Sequence, residues 1–331
     1  MNDGLITRAR SGDSDAFEAL TRPYHRELQV HCYRMLGSFQ DAEEALQDTL
    51  LSAWQGLAAF EGRASVRTWL YRIATNRCLN MLRSATRRPA KEWDMSQIEL
   101  PEPTGLGEVV WLQPYPDTLL DGALGTRPGP EAHYEQTEAI SLAFVTALQV
   151  LPARQRAVLI LREVLGYRAT EVADMLDSTV ESVTSALKRA RSTLNQRLPP
   201  AEDPPAPDSA EEQALVARFV RAYQAGDVDE LVTLLTEDVR LSMPPIPLEY
   251  EGLDAVAHFF ASTIGKGRTY ELVPTRANGQ PAFGAYLRAA TGVRHGAGLL
   301  VIGLSGPRIR EITRFETSAL PWFGLPRSLP S

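Results

Sequence analysis

"GYRATEVADMLDSTVESVTSALKRARSTL", residues 166–194, sets two helical patterns end to end across one tight turn. Val172, Ala173 and Leu176 are spaced as the inward side of a short first helix, and "DST" (177–179) supplies the turn. Val180, Val183, Leu187, Ala190 and Leu194 recur at helical spacing and mark the buried stripe of a longer second helix. Ser178 followed three residues on by Glu181 fits a capping box at its start. Glu181, Ser182, Thr184, Ser185, Lys188 and Arg189 are then left facing out along its N-terminal half. A plain helical hairpin would need only the apolar pattern. The small Ala173 at the crossing and the basic tail favour a helix-turn-helix whose second helix enters the DNA major groove.

A second basic stretch lies upstream. "RASVRTWLYRIATNRCLNMLRSATRRPAK" (63–91) holds eight Arg or Lys residues and no Asp or Glu, in a chain of formal net charge −7. On a helix, Arg72, Asn76, Asn80, Arg83 and Arg87 fall within an arc of about 80°, with Trp69 beside them. Leu70, Ala74, Cys78, Met81 and Leu82 gather on the far side and face a core. Guanidinium groups contact phosphate, Asn reads base edges, and an aromatic stacks on an unpaired base for about 1–3 kcal/mol. A solvated face with one partly buried Trp is the plainer reading; 29 residues without an acid favour nucleic acid.

Net charge conceals this segregation. Residues 92–138 carry ten acids against Arg127 alone, whereas 182–198 carry Lys188, Arg189, Arg191 and Arg197 with no acid. Such one-signed blocks are partner surfaces or solvated tails. With 44% apolar and 23% charged residues in 331, the composition is that of a globular protein of two or three domains. No run is long enough to span a membrane, and the first residues lack the apolar stretch of a secretory signal, so a cytoplasmic protein is expected. Cys32 and Cys78 stand apart and offer neither a disulfide framework nor a metal site; no metal or cofactor is expected.

Residues 15–86 read as helix throughout, broken at Pro23 and closed at Gly37, with Ser38 opening the stretch that follows. Residues 92–137 form a Pro-, Gly- and acid-rich linker in which "WLQPYPD" (111–117) stands out. Helices resume from 138. A second Pro-rich, acidic linker, "PPAEDPPAPDSAEE" (199–212), precedes helices near 210–225, 227–236 and 252–264. Four strand-like runs then follow, "TYELVPTRAN", "AFGAYLRAAT", "GAGLLVIGLS" and "RIREITRFET". The expected fold class is multidomain: two all-α domains, the second a helix-turn-helix, followed by an α+β domain.

The N-terminal half, over about 15–90 and 138–198, resembles a bacterial sigma factor of the extracytoplasmic-function (ECF) type. "DAEEALQDTLLSAW" (41–54) looks like the helix that docks on the clamp helices of RNA polymerase. "FEGRASVRTWLYRIATN" (60–76) looks like the promoter-melting segment, and "LPARQRAVLILREVLGYRATEVADMLDSTVESVTSALKRARSTL" like sigma domain four. The resemblance implies that Asp41, Glu44, Gln47 and Asp48 dock on core polymerase. It further implies that Arg67, Trp69, Arg72, Asn76, Asn80, Arg83 and Arg87 take the unpaired minus-ten strand, and that Glu181, Ser182, Thr184, Ser185, Lys188 and Arg189 read the minus-thirty-five element. The acidic linker would thread the RNA channel of the polymerase, and "WLQPYPD" resembles a linker signature of the sigma-G-like subgroup. Arg168 stands where the family often has a capping Ser or Thr, and Thr184 and Ala186 replace commonly basic positions.

Residues 209–318 resemble the SnoaL-like cone fold, best over "AYQAGDVDELVTLLTEDVRLSMPP". Some relatives of that fold are enzymes, and Asp238, Tyr250, His258, Tyr286 and His295 are the candidate pocket residues here. The domain limits expected are 1–91, 92–137, 138–198, 199–208 and 209–331. Promoter DNA and core RNA polymerase are the expected partners, with a small molecule or regulatory protein at the cone. The expected function is promoter-specific initiation with no catalysis, the cone modulating it. A sigma factor fused to an active enzyme is the alternative, and a self-sufficient repressor would need neither the docking helix nor the melting segment.

Overall fold

A computed structural model describes residues 2–84, 100–109, 111–120, 139–198, 202–264 and 267–330 of the chain. Arg87 lies outside them, as does much of the acidic linker. The described residues form two compact units. One takes residues up to 84, 118–120, 139 and 147–198; the other takes 100–117, 140–146 and 202–330.

The first unit is helical. Its upstream half contains α1 (Asn2–Arg10), α2 (Ser14–Thr21), α3 (His25–Leu36), α4 (Phe39–Gly56) and α5 (Val66–Ser84). The first of these lies upstream of the helical reading of the sequence. Pro23 breaks α2 from α3 within a 3-10 turn, and Gly37 ends α3 in the left-handed region at φ 70°. Ser38 caps α4, its side chain accepting from the Asp41 N–H. Burial follows the helical spacing on α5: Leu70, Ala74 and Cys78 are buried, whereas Arg72, Asn80 and Arg83 are exposed.

The downstream half contains the end of α6 (Leu142–Val150), then α7 (Ala153–Leu159), α8 (Ala169–Met175) and α9 (Val180–Arg197). The last two are the helix-turn-helix. Val172, Ala173, Val183, Leu187 and Ala190 are buried as their spacing requires. Two details differ from the sequence pattern. Thr179, not Ser178, is the N-cap of α9, its hydroxyl accepting from the Ser182 N–H, because the helix starts one residue later. Val180 therefore lies in the first turn and stays 39% exposed. At α8 the Glu171 carboxylate accepts from the Arg168 N–H, so the cap works without a hydroxyl at position 168.

The second unit is α+β. Helices α10 (Ala210–Ala225), α11 (Val228–Thr233) and α12 (Leu253–Thr263) pack on a sheet. Its strands are β1 (Leu235–Met243), β2 (Ile246–Glu251), β3 (Tyr270–Ala277), β4 (Gln280–Arg288), β5 (Arg294–Ser305), β6 (Arg308–Phe315) and β7 (Ser328–Leu329). The order is β2-β1-β6-β5-β4-β3, with β7 on β5, and only the β1–β6 pair is parallel. The last three of the four strand-like runs in the sequence become β4, β5 and β6, and the first becomes β3. Helix α11 ends earlier than its apolar pattern because Leu235 is already paired with Ile309 on β6. The core gathers Phe219, Tyr223, Phe260, Phe283, Leu300 and Ile312 between helices and sheet.

Candidate nucleic-acid interface and linker dock

Helix α5 presents its basic face as the spacing requires, but the face is not uniform. Trp69 is half-buried, its ring 4.8 Å from that of Phe60. Arg72, Asn80 and Arg83 are exposed, and Arg83 donates to Asn80 Oδ1 at 3.2 Å. Arg67 departs from the expected open face. It donates through Nε and Nη2 to the Glu27 carboxylate, both at 2.9 Å, and lies 4.8 Å from the centre of the Tyr71 ring. The acid that pairs with it is forty residues away in sequence, so a count of acids within 63–91 could not reveal it.

Along α4, Glu44 and Gln47 are exposed and Asp41 and Asp48 half-exposed. Leu51, one turn beyond Gln47 and Asp48, is 56% exposed and adds an apolar side chain to that face. It is a further candidate that the sequence reading did not include, although its position three and four residues after Asp48 and Gln47 was a usable signal. On α9, all six expected reading residues, Glu181, Ser182, Thr184, Ser185, Lys188 and Arg189, are exposed on one side. Hydrogen bonding to its own backbone N–H, and then to Thr179, holds the Glu181 carboxyl below the usual range.

The candidate residues of the α+β unit do not converge. Asp238 lies on β1, exposed, and pairs with Arg310 at 2.7 Å. Partial burial opposes its ionisation, but bonds from Thr236 and Arg310 leave its carboxyl below the ordinary value. His258 and His295 are exposed. Tyr250 and Tyr286 are fully buried, yet each hydroxyl is spent on backbone: Tyr250 donates to the Pro101 carbonyl at 2.9 Å and Tyr286 to that of Pro326 at 2.8 Å. No acid–base pair is assembled from these five.

What the unit does hold is the described part of the acidic linker. Thr104 N–H donates to the Glu249 carbonyl at 3.0 Å, and Glu249 N–H donates to that of Gly105 at 3.1 Å, a single antiparallel bridge on the β2 edge. Further on, Tyr115 and Asn278 exchange backbone and side-chain bonds. Tyr115 N–H donates to Asn278 Oδ1 at 2.8 Å, and Asn278 N–H donates to the Tyr115 carbonyl at 2.9 Å. Gly279 N–H donates to Asp117 Oδ1 at 2.8 Å, and Arg276 lies 3.5 Å from the same carboxylate. The "WLQPYPD" motif is therefore docked on the β3–β4 turn. The Pro-rich second linker is likewise fixed from residue 202: Glu202 N–H donates to Ser305 Oγ at 3.0 Å, and Arg276 pairs with Glu212 at 3.0 Å. The "NG" at 278–279 is a local turn signal that the sequence reading did not use, and its partners at the dock are some 160 residues upstream.

Among the described residues, no helix is long and apolar enough to cross a membrane, and no group of three or more His, Cys, Asp or Glu could hold a metal ion.

A helix-turn-helix with one exposed side, a basic helix bearing an aromatic, and a helix with an acidic exposed face are the arrangement expected of a promoter-recognition chain of the sigma type. Family models agree: Sigma-70 region 2 matches residues 20–88, Sigma-70 region 4 matches 141–194, and a SnoaL-like domain matches 216–315. The chain belongs to the ECF family of RNA polymerase sigma factors. It is 42% identical to the ECF RNA polymerase sigma factor SigG of Mycobacterium tuberculosis over 97% of this chain and 86% of that protein. SigW of Bacillus subtilis is 28% identical over 58% of this chain and 94% of its own. The crystal structure of the M. tuberculosis ECF sigma factor SigJ superposes with a TM-score of 0.62 at 19% identity, over 94% of this chain and 99% of that one. That likeness is one of fold.

Proposed function

We propose that this chain binds core RNA polymerase in the cytoplasm and directs promoter-specific initiation, its SnoaL-like domain regulating that activity without catalysis. The α4 face of Asp41, Glu44, Gln47, Asp48 and Leu51 docks on the polymerase. Trp69, Arg72, Asn76, Asn80 and Arg83 capture the melted minus-ten strand, together with Arg87. The exposed side of α9 reads the minus-thirty-five element.

The linker dock carries the regulatory part of the reading. Tyr115, Pro116 and Asp117 are bonded to the SnoaL-like sheet through Ala277, Asn278 and Gly279. A linker held there is not free to thread another channel, so the equilibrium between docked and released linker sets the polymerase-competent fraction. The absence of a convergent acid–base pair among Asp238, Tyr250, His258, Tyr286 and His295 speaks for regulation over turnover.

Transcription with core polymerase tests this. The full chain, a chain ending at Leu198 and an Asn278→Ala chain are compared on one promoter. The expected result is initiation by the full chain and altered initiation by both variants in the same direction. Three indistinguishable activities would remove the regulatory role, and no initiation by any would remove the sigma reading.

A further inference from the structure

The apolar spacing of α9 assigns Val180 to the buried stripe, yet the folded chain leaves it in the first turn with 39% of its surface exposed. Only two other large apolar side chains, Leu51 and Leu106, are exposed among the described residues. A single exposed Val needs no explanation by itself. Its neighbours on the helix give this one a use.

The exposed residues of α9 fall into two rows at four-residue spacing. Val180, Thr184 and Lys188 form one, and Glu181, Ser185 and Arg189 form the other. In the first row, Thr184 Oγ1 donates to the Val180 carbonyl at 2.8 Å, so its hydroxyl proton is already spent on the helix backbone. What Thr184 keeps for a partner is a lone pair and a methyl group. At the head of the second row, Glu181 is bonded back to its own N–H and to Thr179. The opening turns of the first row are therefore apolar in character, Val180 followed one turn on by the Thr184 methyl, before Lys188 brings a cation.

Such a strip suits few partners in a major groove. Most base edges there present donors and acceptors, and covering these with apolar groups removes their water without replacing it. Thymine differs, because its C5-methyl group projects into the groove and is met by apolar side chains, Thr methyl groups among them. The N-terminal half of the second helix is also the part that reaches base edges in a helix-turn-helix.

We infer that Val180 and Thr184 are specificity residues that read a thymine C5-methyl group within the minus-thirty-five element. Ser185 and Arg189, in the neighbouring row, make the polar contacts. Val180 thereby joins the reading residues, and Thr184 acts through its methyl rather than its hydroxyl. The inference rests on the reading of α9 as the helix that recognises the upstream element.

The test uses the full chain in complex with core RNA polymerase and a duplex library with a randomised upstream element. The best-bound duplex is remade with each upstream thymine replaced singly by deoxyuridine, which removes the C5-methyl group alone. Affinities are compared by competition. At one position or two adjacent ones, the replacement is expected to weaken binding about fourfold, the worth of one methyl group withdrawn from water. Thr184→Ser deletes the side-chain methyl but keeps the hydroxyl that bonds the Val180 carbonyl, and Val180→Ser removes the larger apolar group; both sites are exposed. In at least one of these chains the deoxyuridine penalty is expected to shrink to less than about twofold. Equal binding of every deoxyuridine duplex by the native chain overturns the inference without recourse to the variants. A penalty unchanged in both variants, or a selected element without an A·T pair, overturns it too. Failure of the complex to select any upstream element overturns instead the α9 reading on which the inference rests.

Discussion

Asn278 and Tyr115 bond each other in both directions, each backbone N–H donating to an oxygen of the other residue at 2.8 and 2.9 Å. Asn278 is fully buried, has φ 58°, and its Nδ2 also donates to the Ile140 carbonyl at 2.8 Å. Replacing it with Ala strands buried polar groups and disfavours the backbone, at a cost of about 2–4 kcal/mol. Limited proteolysis should then cut within 111–120 at much lower protease concentration. Asn278→Gly keeps the backbone conformation and should isolate the side-chain share; equal resistance in all three chains would mean that Asn278 does not hold the linker.

Docking on core polymerase should depend on both the charge and the apolar part of the α4 face. Glu44→Lys and Asp48→Lys reverse charge at sites that are at least partly exposed, and Leu51→Asp removes an apolar contact without touching the core. Each is expected to weaken binding at least about tenfold, or about 1.4 kcal/mol, in a competition assay, with unchanged thermal stability. Tight binding by all three variants would move the docking surface elsewhere.

Trp69→Ala should weaken binding to an unpaired minus-ten strand by about 1–3 kcal/mol while leaving duplex binding nearly unchanged. Because Trp69 also packs on Phe60, Trp69→Phe serves as the control that retains an aromatic. Arg83→Ala should act on every sequence alike and flatten the salt dependence. On α9, Ser185 and Thr184 should alter preference at particular upstream bases and Lys188 overall affinity. A footprint without upstream protection would exclude α9 as the reader.

Acid lability should trace to His31. It is fully buried, and its Nε2 lies 2.9 Å from Thr75 Oγ1, whose own proton goes to the Tyr71 carbonyl at 2.7 Å. His31 therefore donates from Nε2, and its Nδ1 has no hydrogen-bond partner among the described residues. Burial, helped by the charges of Arg34 and Arg67, lowers its pKa to about 3. The unfolded chain binds this proton near pH 6.5 and the folded chain does not, so stability falls as pH drops from about 6.5 towards 3. Between pH 7 and 5 the loss should be about 2 kcal/mol larger in the native chain than in His31→Gln, measured by urea unfolding. Parallel pH profiles would show that His31 titrates normally.

The helical halves were legible because their signals are local. Gly37, Ser38, Pro23 and the stripe Val183–Leu187–Ala190 act within a few residues of the structure they specify, and the exposed side of α9 follows from helical geometry alone. The shift of the cap from Ser178 to Thr179 marks the limit of such signals, since both hydroxyls suit the role and one residue of register decides between them. Tertiary structure decided which polar groups are free. Arg67 looked like its neighbours on α5 until Glu27 was folded against it, and Tyr250 and Tyr286 looked like pocket groups until Pro101 and Pro326 took their hydroxyl protons. It also turned two linkers into bonded segments, through Asn278 and Arg276. The physical reason is common to all of these. A buried donor or charge must find an acceptor, and only the folded chain brings one from forty to more than a hundred residues away.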